Sequence, residues 1–194
     1  LCSGITYGHK KIRIAYLSSD FQTHPVSYQM AELFESHDRA RFEVTGISTG
    51  VDNGGGMRAR LMRAFDSFHD VRVKNDRAVA ALLRERETDI LVDLGGHTQG
   101  ARPEILSPRP APVPVPSLGY PGTTGASFID YIIADRIVAP FDHASFFTEK
   151  IVHLPDSYWA SDSKRGIGAA TTRRDAGLPE RSFVFCCFNN HWKI

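Results

Sequence analysis

The segment Asp89–Tyr131 reads DILVDLGGHTQGARPEILSPRPAPVPVPSLGYPGTTGASFIDY. It begins with a short apolar run, Ile90–Leu94, that is rich in β-branched residues. Such a run predicts a strand that is covered on both faces in a parallel sheet. A second stretch, Val113–Leu118, follows, and each of the two leads directly into a polar, glycine-rich loop. The segment therefore alternates between sheet core and polar loop.

The two loops are Gly95–Gly100 and Gly119–Gly125. In open α/β sheets, ligands bind at the carboxyl ends of the strands, and glycine lets the backbone approach a ligand closely. The two loops are therefore predicted to face one crevice.

Strand and helix patterns alternate with short connections on the amino-terminal side of this segment. The predicted elements, in chain order, are strands at Ile12–Leu17, Phe42–Ile47 and Phe68–Val73 and helices at Pro25–Glu35, Met57–Phe65 and Asp76–Leu83. Asp76 is predicted to cap the third helix. This alternation predicts an α/β fold, a Rossmann-like, doubly wound and mostly parallel sheet.

The run Pro108–Pro116 has prolines at alternating positions. Because proline has no N–H to donate to a strand ladder, a central strand is not expected over the whole run. An edge strand, or an extended polyproline segment that ends near Leu118, is predicted instead. Two further strands are predicted at Tyr131–Ala134 and Ile151–Leu154.

The domain organisation follows from these patterns. Residues 1–11 are a polar lead-in, and residues 12–160 form one Rossmann-like lobe. Residues 161–180 are small, charged and aperiodic, which is typical of a linker. Residues 181–194 are predicted to begin another lobe, with a strand at Phe183–Phe188.

The composition indicates an ordinary soluble globular protein. Of the 194 residues, 42% are hydrophobic and 23% are charged, which is an average mixture. The net charge of +1 gives no reason to expect a nucleic-acid or membrane partner. No apolar run reaches the roughly 18 to 20 residues that span a bilayer, and the amino terminus lacks a signal-peptide pattern. The odd set Cys2, Cys186 and Cys187 predicts reduced thiols and a cytoplasmic location.

Five blocks of sequence carry a family resemblance. In order they are SSDFQTHPVSY at Ser18–Tyr28, GGHTQGARPE, RPAP, LGYPGTTG and CFNNHWKI at Cys187–Ile194. Together they resemble the catalytic region of the O-linked N-acetylglucosaminyltransferase family, including its bacterial and SPINDLY-like members. Each block by itself is weak evidence for the family, whereas five blocks in the same order make the resemblance specific.

The resemblance implies an enzyme with a two-lobed, GT-B-like catalytic region, often preceded by tetratricopeptide repeats. Its reaction is the inverting transfer of N-acetylglucosamine from a UDP donor to serine or threonine hydroxyls of proteins. The chain would hold the amino-terminal lobe and the opening of the other, so by itself it is expected to be inactive. Two alternatives remain: fucose transfer from GDP-fucose, as in SPINDLY-like relatives, or a non-catalytic module that binds the acceptor.

His24 is the predicted catalytic residue. It stands where the first strand ends and the first helix begins, and the resemblance places this histidine near the reacting centre. Because histidine can be unprotonated at neutral pH, it can accept the proton of a hydroxyl. In the alternative interpretation, His24 only helps to start the helix.

The two glycine loops supply the predicted donor-sugar residues. His97 is either a functional residue or a loop histidine bonded to backbone, and tyrosine at this position in some relatives argues against an obligatory proton transfer. Thr98 offers a hydroxyl to a sugar or phosphate oxygen. The second loop is either a structural turn or the surface against which the sugar packs, through Gly119, Tyr120, Pro121, Gly122 and Thr123.

The last block contributes two predicted nucleotide contacts. By resemblance, Lys193 binds the diphosphate and Asn190 contacts the nucleotide. A lysine ammonium stabilises the negative charge that grows on a leaving diphosphate. The sequence contains no Asp-x-Asp motif, so neither a metal ion nor another cofactor is expected. The predicted partners are a nucleotide sugar, a protein or peptide acceptor and the second lobe.

Overall fold

The computed structural model describes residues 4–189. The chain divides into two compact units, Leu1–Lys164 and Arg165–Ile194. All strands and helices of the described residues lie in the first unit.

The first unit is built on parallel strands. The strands are β1 (Ile12–Ser18), β2 (Phe42–Ser48), β3 (Ser67–Asp70), β4 (Ile90–Asp93), β5 (Val113–Pro116), β6 (Tyr131–Ala134) and β7 (Lys150–His153). The helices are α1 (Pro25–Glu35), α2 (Gly56–Ala64) and α3 (Asp76–Glu85), with 3-10 helices at Pro103–Ile105 and Phe141–Phe146.

Five strands form one sheet in the order β3-β2-β1-β4-β5, and β6 pairs with β7. Every pairing is parallel. One isolated bridge, between Ser117 and Ile133, connects the end of β5 to β6. The predicted doubly wound α/β fold is confirmed.

Two apolar clusters cover the two faces of the sheet. In β1, Ile14 and Tyr16 join the cluster that includes α1 and α2 residues, whereas Ala15 and Leu17 join the cluster on the α3 side. Successive side chains of a strand point to opposite faces, so a strand buried on both sides consists almost entirely of apolar residues. This is why β1 and β4 are recognisable in the sequence.

Strand β5 is an edge strand of the five-stranded sheet, as the proline pattern predicts. Val113 and Ser117 donate their N–H groups to Asp89 and Asp93 of the β4 segment, at 3.1 and 2.9 Å. Alternate residues of a strand direct their N–H groups to opposite sides, so the prolines at 114 and 116 fall where β4 needs no donor. The same prolines leave few donors for β6, which fits the single bridge there.

The predicted cap of α3 is wrong by one residue. Asn75 is the N-cap, and its side chain accepts the Ala78 N–H at 2.9 Å. Asp76 lies in the first turn and binds Arg102. Both residues suit a helix start, and it is Asn75 that has the extended backbone of a cap residue, with φ −73° and ψ 163°.

The chain after β7 packs back onto α1 and α2 through residues 158–164, which we call the strap. Tyr158 donates its N–H to Asp135 Oδ2 at 3.0 Å. The nearly fully buried Asp162 carboxylate binds Arg60 of α2, and Ser163 donates to Glu32 of α1. Residues 162–164, which fall within the predicted linker 161–180, are thus held on the first unit.

The predicted strand at Phe183–Phe188 is not formed, since residues 183–189 carry no strand. A strand needs a backbone partner, and within residues 4–189 no segment pairs with this one. Phe183, Phe185 and Phe188 are exposed. The assignment of residues 181–194 to another lobe remains a prediction.

Within residues 4–189, no helix combines the length and the apolar character needed to cross a bilayer.

Candidate functional site

Four connecting loops meet at the carboxyl edge of the sheet, after β1, β2, β4 and β5. Gly119 has no room for a Cβ because the Leu94 carbonyl oxygen, at the end of β4, occupies that space. Gly96 has a positive φ of 58°, and a Cβ there would lie 2.8 Å from Tyr120 Cβ. A Cβ on Gly100 would lie 3.1 Å from Ser19 Oγ, in the loop after β1. The loops that carry His24, His97 and Tyr120 are therefore packed against one another.

The loop before His24 is anchored in the core. Phe21 is fully buried and its ring lies 5.5 to 5.8 Å from three other phenylalanine rings. The buried Arg58 donates to the Phe21 carbonyl at 3.1 Å and to Asp70 at 3.0 Å. Ser27 of α1 donates to the Asp20 carbonyl. These contacts fix the backbone on which His24 is carried.

His24 is the N-cap of α1. Pro25 has no N–H, so the first amide that needs a partner belongs to Val26, and it donates to His24 Nδ1 at 3.3 Å. Asp20 Oδ2 lies 3.6 Å from the same nitrogen. The His24 side chain is 40% exposed, so the ring is open to a ligand. His24 therefore both caps α1 and presents an exposed side chain at the carboxyl edge of the sheet.

Asp93 shapes the first glycine loop. Its carboxylate is buried and accepts the N–H groups of Gly95 and Gly96 at 3.0 and 2.9 Å. Burial raises the pKa of the Asp93 carboxyl above its ordinary value, although the two hydrogen bonds oppose the shift. The turn that presents His97 is thus tied to the last residue of β4.

His97 and Thr98 differ in what they offer to a ligand. His97 is exposed, and its Nε2 lies 3.1 Å from the Thr124 carbonyl oxygen. Because a carbonyl only accepts, Nε2 is the donor and Nδ1 of the neutral ring remains an acceptor. Thr98 donates its hydroxyl proton to the Gly95 carbonyl at 2.8 Å, so its oxygen can only accept from a ligand.

The second glycine loop is held by a glutamate from a distant part of the sequence. Thr123 Oγ1 and Thr124 N donate to Glu149 at 2.8 Å each, and Thr124 Oγ1 donates to it as well. Tyr120 is 40% exposed and packs edge-on against His97. Gly122 lies against the Tyr120 ring, and Pro121 is exposed.

Most of the predicted site residues therefore lie on adjoining loops. His24 belongs to the loop after β1, His97 and Thr98 to the loop after β4, and Gly119–Thr123 to the loop after β5. Asn190 and Lys193 lie outside the described residues. The roles of all these residues remain predictions.

Three carboxylates that bind or flank these loops were not predicted from the sequence: Asp20, Asp93 and Glu149. Asp20 stands four residues before His24, and Asp93 interrupts an apolar run at a strand end, so both had a local signal. Glu149 is 25 residues from Thr124 in sequence and had none.

The described residues contain no group of three or more His, Cys, Asp or Glu side chains arranged to hold a metal ion. The expected absence of a metal remains a prediction.

Polar loops gathered at the carboxyl edge of a doubly wound parallel sheet define a Rossmann-like ligand-binding protein. Residues 3–169 match Glycosyl transferase family 41. The chain belongs to this family.

Individual relatives agree with the family. The chain is 38% identical over 193 residues to the probable UDP-N-acetylglucosamine–peptide N-acetylglucosaminyltransferase SEC of Arabidopsis thaliana, a match that covers 96% of the chain and 20% of the relative. It is 39% identical over 154 residues to the UDP-N-acetylglucosamine–peptide N-acetylglucosaminyltransferase of Caenorhabditis elegans, covering 79% of the chain and 13% of the relative. A lysine-to-methionine mutant of the Thermobaculum terrenum O-GlcNAc transferase superposes with a TM-score of 0.75 at 34% identity, covering 78% of the chain and 29% of that structure.

The chain thus spans about a fifth of the length of the SEC relative. The similarity to a solved O-GlcNAc transferase supports the α/β fold.

Proposed function

We propose that the chain forms the amino-terminal lobe of an inverting protein O-glycosyltransferase. Its reaction is the transfer of N-acetylglucosamine from UDP-N-acetylglucosamine to serine or threonine hydroxyls. The observation that carries this proposal is the convergence of the His24, His97 and Tyr120 loops at the carboxyl edge of the sheet, in a chain of glycosyl transferase family 41.

His24 has two chemical options that depend on the partner of Nδ1. If Nδ1 accepts the Val26 N–H, the neutral ring carries its proton on Nε2, which then donates a hydrogen bond to a substrate oxygen. If Nδ1 is protonated and turned toward Asp20, Nε2 becomes free to accept a hydroxyl proton, as in a histidine oriented by a carboxylate. The distances of 3.3 Å to Val26 N and 3.6 Å to Asp20 Oδ2 favour the first option. We therefore propose that His24 positions the reacting groups, and that proton acceptance requires a switch to Asp20.

The second glycine loop is proposed to bind the donor sugar. The exposed ring of Tyr120 and the adjoining glycines offer an apolar surface and close backbone approach, both of which suit a sugar ring. Beside the Tyr120 ring, His97 Nδ1 and the Thr98 oxygen can accept hydrogen bonds from sugar hydroxyls. Lys193 and Asn190 are proposed to bind the diphosphate and the nucleotide, on the resemblance of their block alone.

The names of the relatives favour N-acetylglucosamine as the donor sugar. Even the SPINDLY protein of Arabidopsis thaliana, 34% identical over 95% of the chain, carries the name of a probable N-acetylglucosaminyltransferase. Fucose transfer from GDP-fucose remains the second candidate because the SPINDLY-like resemblance suggested it. The remaining proposed features are a cytoplasmic location, upstream tetratricopeptide repeats and independence from metal ions.

Transfer by the full-length protein tests this proposal. The protein is incubated with a serine- and threonine-containing peptide and, in parallel, with radiolabelled UDP-N-acetylglucosamine or GDP-fucose. Label from the UDP sugar is expected in the peptide, and Lys193→Ala should abolish most of it. Transfer from GDP-fucose alone would favour the second candidate. Peptide binding without transfer from either donor would favour an acceptor-binding module.

A further inference from the structure

Glu149 is a buried carboxylate that accepts three hydrogen bonds from the second glycine loop. The residue directly precedes β7 and is 5% exposed. Its oxygen Oε2 accepts from Thr123 Oγ1, and Oε1 accepts from both the amide and the hydroxyl of Thr124. The three donors are two hydroxyls and one backbone amide, so each of them is neutral.

These bonds extend to the residues that face the proposed ligand. The Thr124 carbonyl receives the hydrogen bond of His97 Nε2 at 3.1 Å. The His97 ring in turn packs against Tyr120, with ring centroids 5.1 Å apart. A displacement of Thr124 would therefore move the acceptor that holds His97 and change the contact with Tyr120.

The arrangement favours the ionised form of Glu149. Burial by itself would raise the pKa of its carboxyl, but the hydrogen bonds from Thr124 and Thr123 outweigh burial and hold the pKa below its ordinary value. An ionised carboxylate accepts every one of these bonds, whereas an amide in its place would turn one acceptor into a donor facing a donor.

We propose that Glu149 is a positioning residue of the transfer reaction: it fixes Thr123 and Thr124, and through the Thr124 carbonyl the ring of His97, in the arrangement that receives the donor sugar. The inference rests on the proposed function. It predicts that Glu149 affects the sugar more than the nucleotide, because its contacts reach the second glycine loop.

The test compares Glu149→Gln with Asp162→Asn in the full-length protein. Both variants turn a buried carboxylate of the first unit into an amide, but Asp162 binds Arg60 of α2. Glu149→Gln is expected to lower kcat/KM for UDP-N-acetylglucosamine by about 10-fold or more, the scale of a misplaced contact in an active site. Affinity for UDP should stay within about two-fold of wild type, since removing Glu149 leaves the nucleotide contacts in place. Asp162→Asn should lower the melting temperature and leave kcat/KM near the wild-type value below that temperature.

A second pair of variants keeps the test valid if Glu149→Gln folds poorly. Thr124→Val removes the hydroxyl that binds Glu149, and Thr124→Ser keeps it. The valine variant should lose kcat/KM as Glu149→Gln does, and the serine variant should retain most of it. Kinetics near wild type for both Glu149→Gln and Thr124→Val would overturn the proposal, and so would an equal loss in Asp162→Asn.

Hydrogen exchange separates this proposal from the proposed function. The Thr124 amide donates to Glu149, so its exchange should accelerate in Glu149→Gln whatever the substrate is. If wild type transfers no sugar, the proposed function is contradicted. Faster exchange of the Thr124 amide in Glu149→Gln would then still support the positioning of the loop by Glu149. Unchanged exchange would refute the positioning itself.

Discussion

Two regions of the first unit hold carboxylates in different ways. At the two glycine loops, Gly95–Gly100 and Gly119–Gly125, which we call the loop edge, Asp93 and Glu149 accept hydrogen bonds from backbone amides and hydroxyls. At the strap, Asp162 and Glu35 both bind the guanidinium of Arg60. At the strap, the cation compensates the charge of the buried carboxylate and so stabilises the fold. At the glycine loops, the donors are neutral loop groups, and the carboxylate fixes the position of the loop that carries them. The strap is therefore expected to serve stability and the loop edge to serve geometry.

This difference leads to variants with opposite signatures. Changes at the strap should lower the free energy of unfolding and leave turnover intact. Changes at the loop edge should lower turnover with a smaller effect on unfolding. A variant with the other signature would break the comparison.

Arg60→Ala is expected to have the largest effect. It leaves the carboxylate of Asp162, whose side chain is 1% exposed, buried without its cation. Breaking a buried ion pair from one side costs roughly 3 kcal/mol or more, so the free energy of unfolding in urea should fall by about that amount. Arg63→Ala, which removes an exposed arginine of the same helix, is the matched control. Equal losses in the two variants would show that the strap contributes little.

His24→Ala should act mainly on turnover. A group that positions or exchanges a proton at the reacting centre contributes roughly 100-fold, so kcat of the full-length protein should fall by about that factor. Affinity for UDP should change little, and the lost cap should cost about 1 kcal/mol of stability. Transfer rate and thermal unfolding are measured on the same protein, with His143→Ala, an exposed histidine of a 3-10 helix, as the control. Near-normal turnover with a lowered melting temperature would remove His24 from the mechanism.

Asp20→Asn distinguishes the two options for His24. If His24 Nδ1 is turned toward Asp20 during the reaction, the variant should lose about 10-fold in kcat, since Asp20 would orient the base. If Nδ1 stays bound to the Val26 amide, the rate should remain within about two-fold. The pH–rate profile of Asp20→Asn, compared with that of wild type, is a second measurement: it should change only if Asp20 orients His24 during the reaction.

The free energy of unfolding at acidic pH should depend on Glu35. Hydrogen bonds from Arg60 lower the pKa of Glu35 from its ordinary value of 4.5 to about 2, with burial opposing and Lys164 adding to the shift. Because the pKa is lower in the folded protein, the ionised form stabilises the fold above pH 4.5, and this stabilisation is lost as the pH falls toward 2. Unfolding measured from pH 7 to 2 should show wild type more stable than Glu35→Gln by about 1 kcal/mol near neutrality, with the difference vanishing at the acid end. A constant difference across this range would contradict the ion-pair account. The control Glu104→Gln, at an exposed glutamate, should show no difference in stability from wild type that depends on pH.

The smallest expected effect is that of chelation. The sequence has no Asp-x-Asp motif, and a lysine can bind a leaving diphosphate in place of a metal. Transfer by the full-length protein should therefore be unchanged in excess chelator. A loss that magnesium or manganese restores would contradict this prediction.

Local rules recovered much of the fold because the sheet is buried on both sides. The bounds of α1 match the prediction at Pro25–Glu35, since proline at the first position and an apolar face define the helix locally. The edge position of β5 followed from its prolines. No strand is present at Phe183–Phe188 in the described residues, because strand formation depends on a partner, which an apolar pattern alone does not supply.

The sequence by itself determined the parallel α/β class, the two glycine loops and the family, because these depend on periodicity, glycine placement and ordered motifs. The tertiary structure decided which side chains support those loops. Glu149 reaches Thr124 and Asp162 reaches Arg60 across 25 and 102 residues, and no local pattern encodes such contacts. Their partners are set by chain topology, which brings distant carboxylates to a loop in one place and to an arginine in the other.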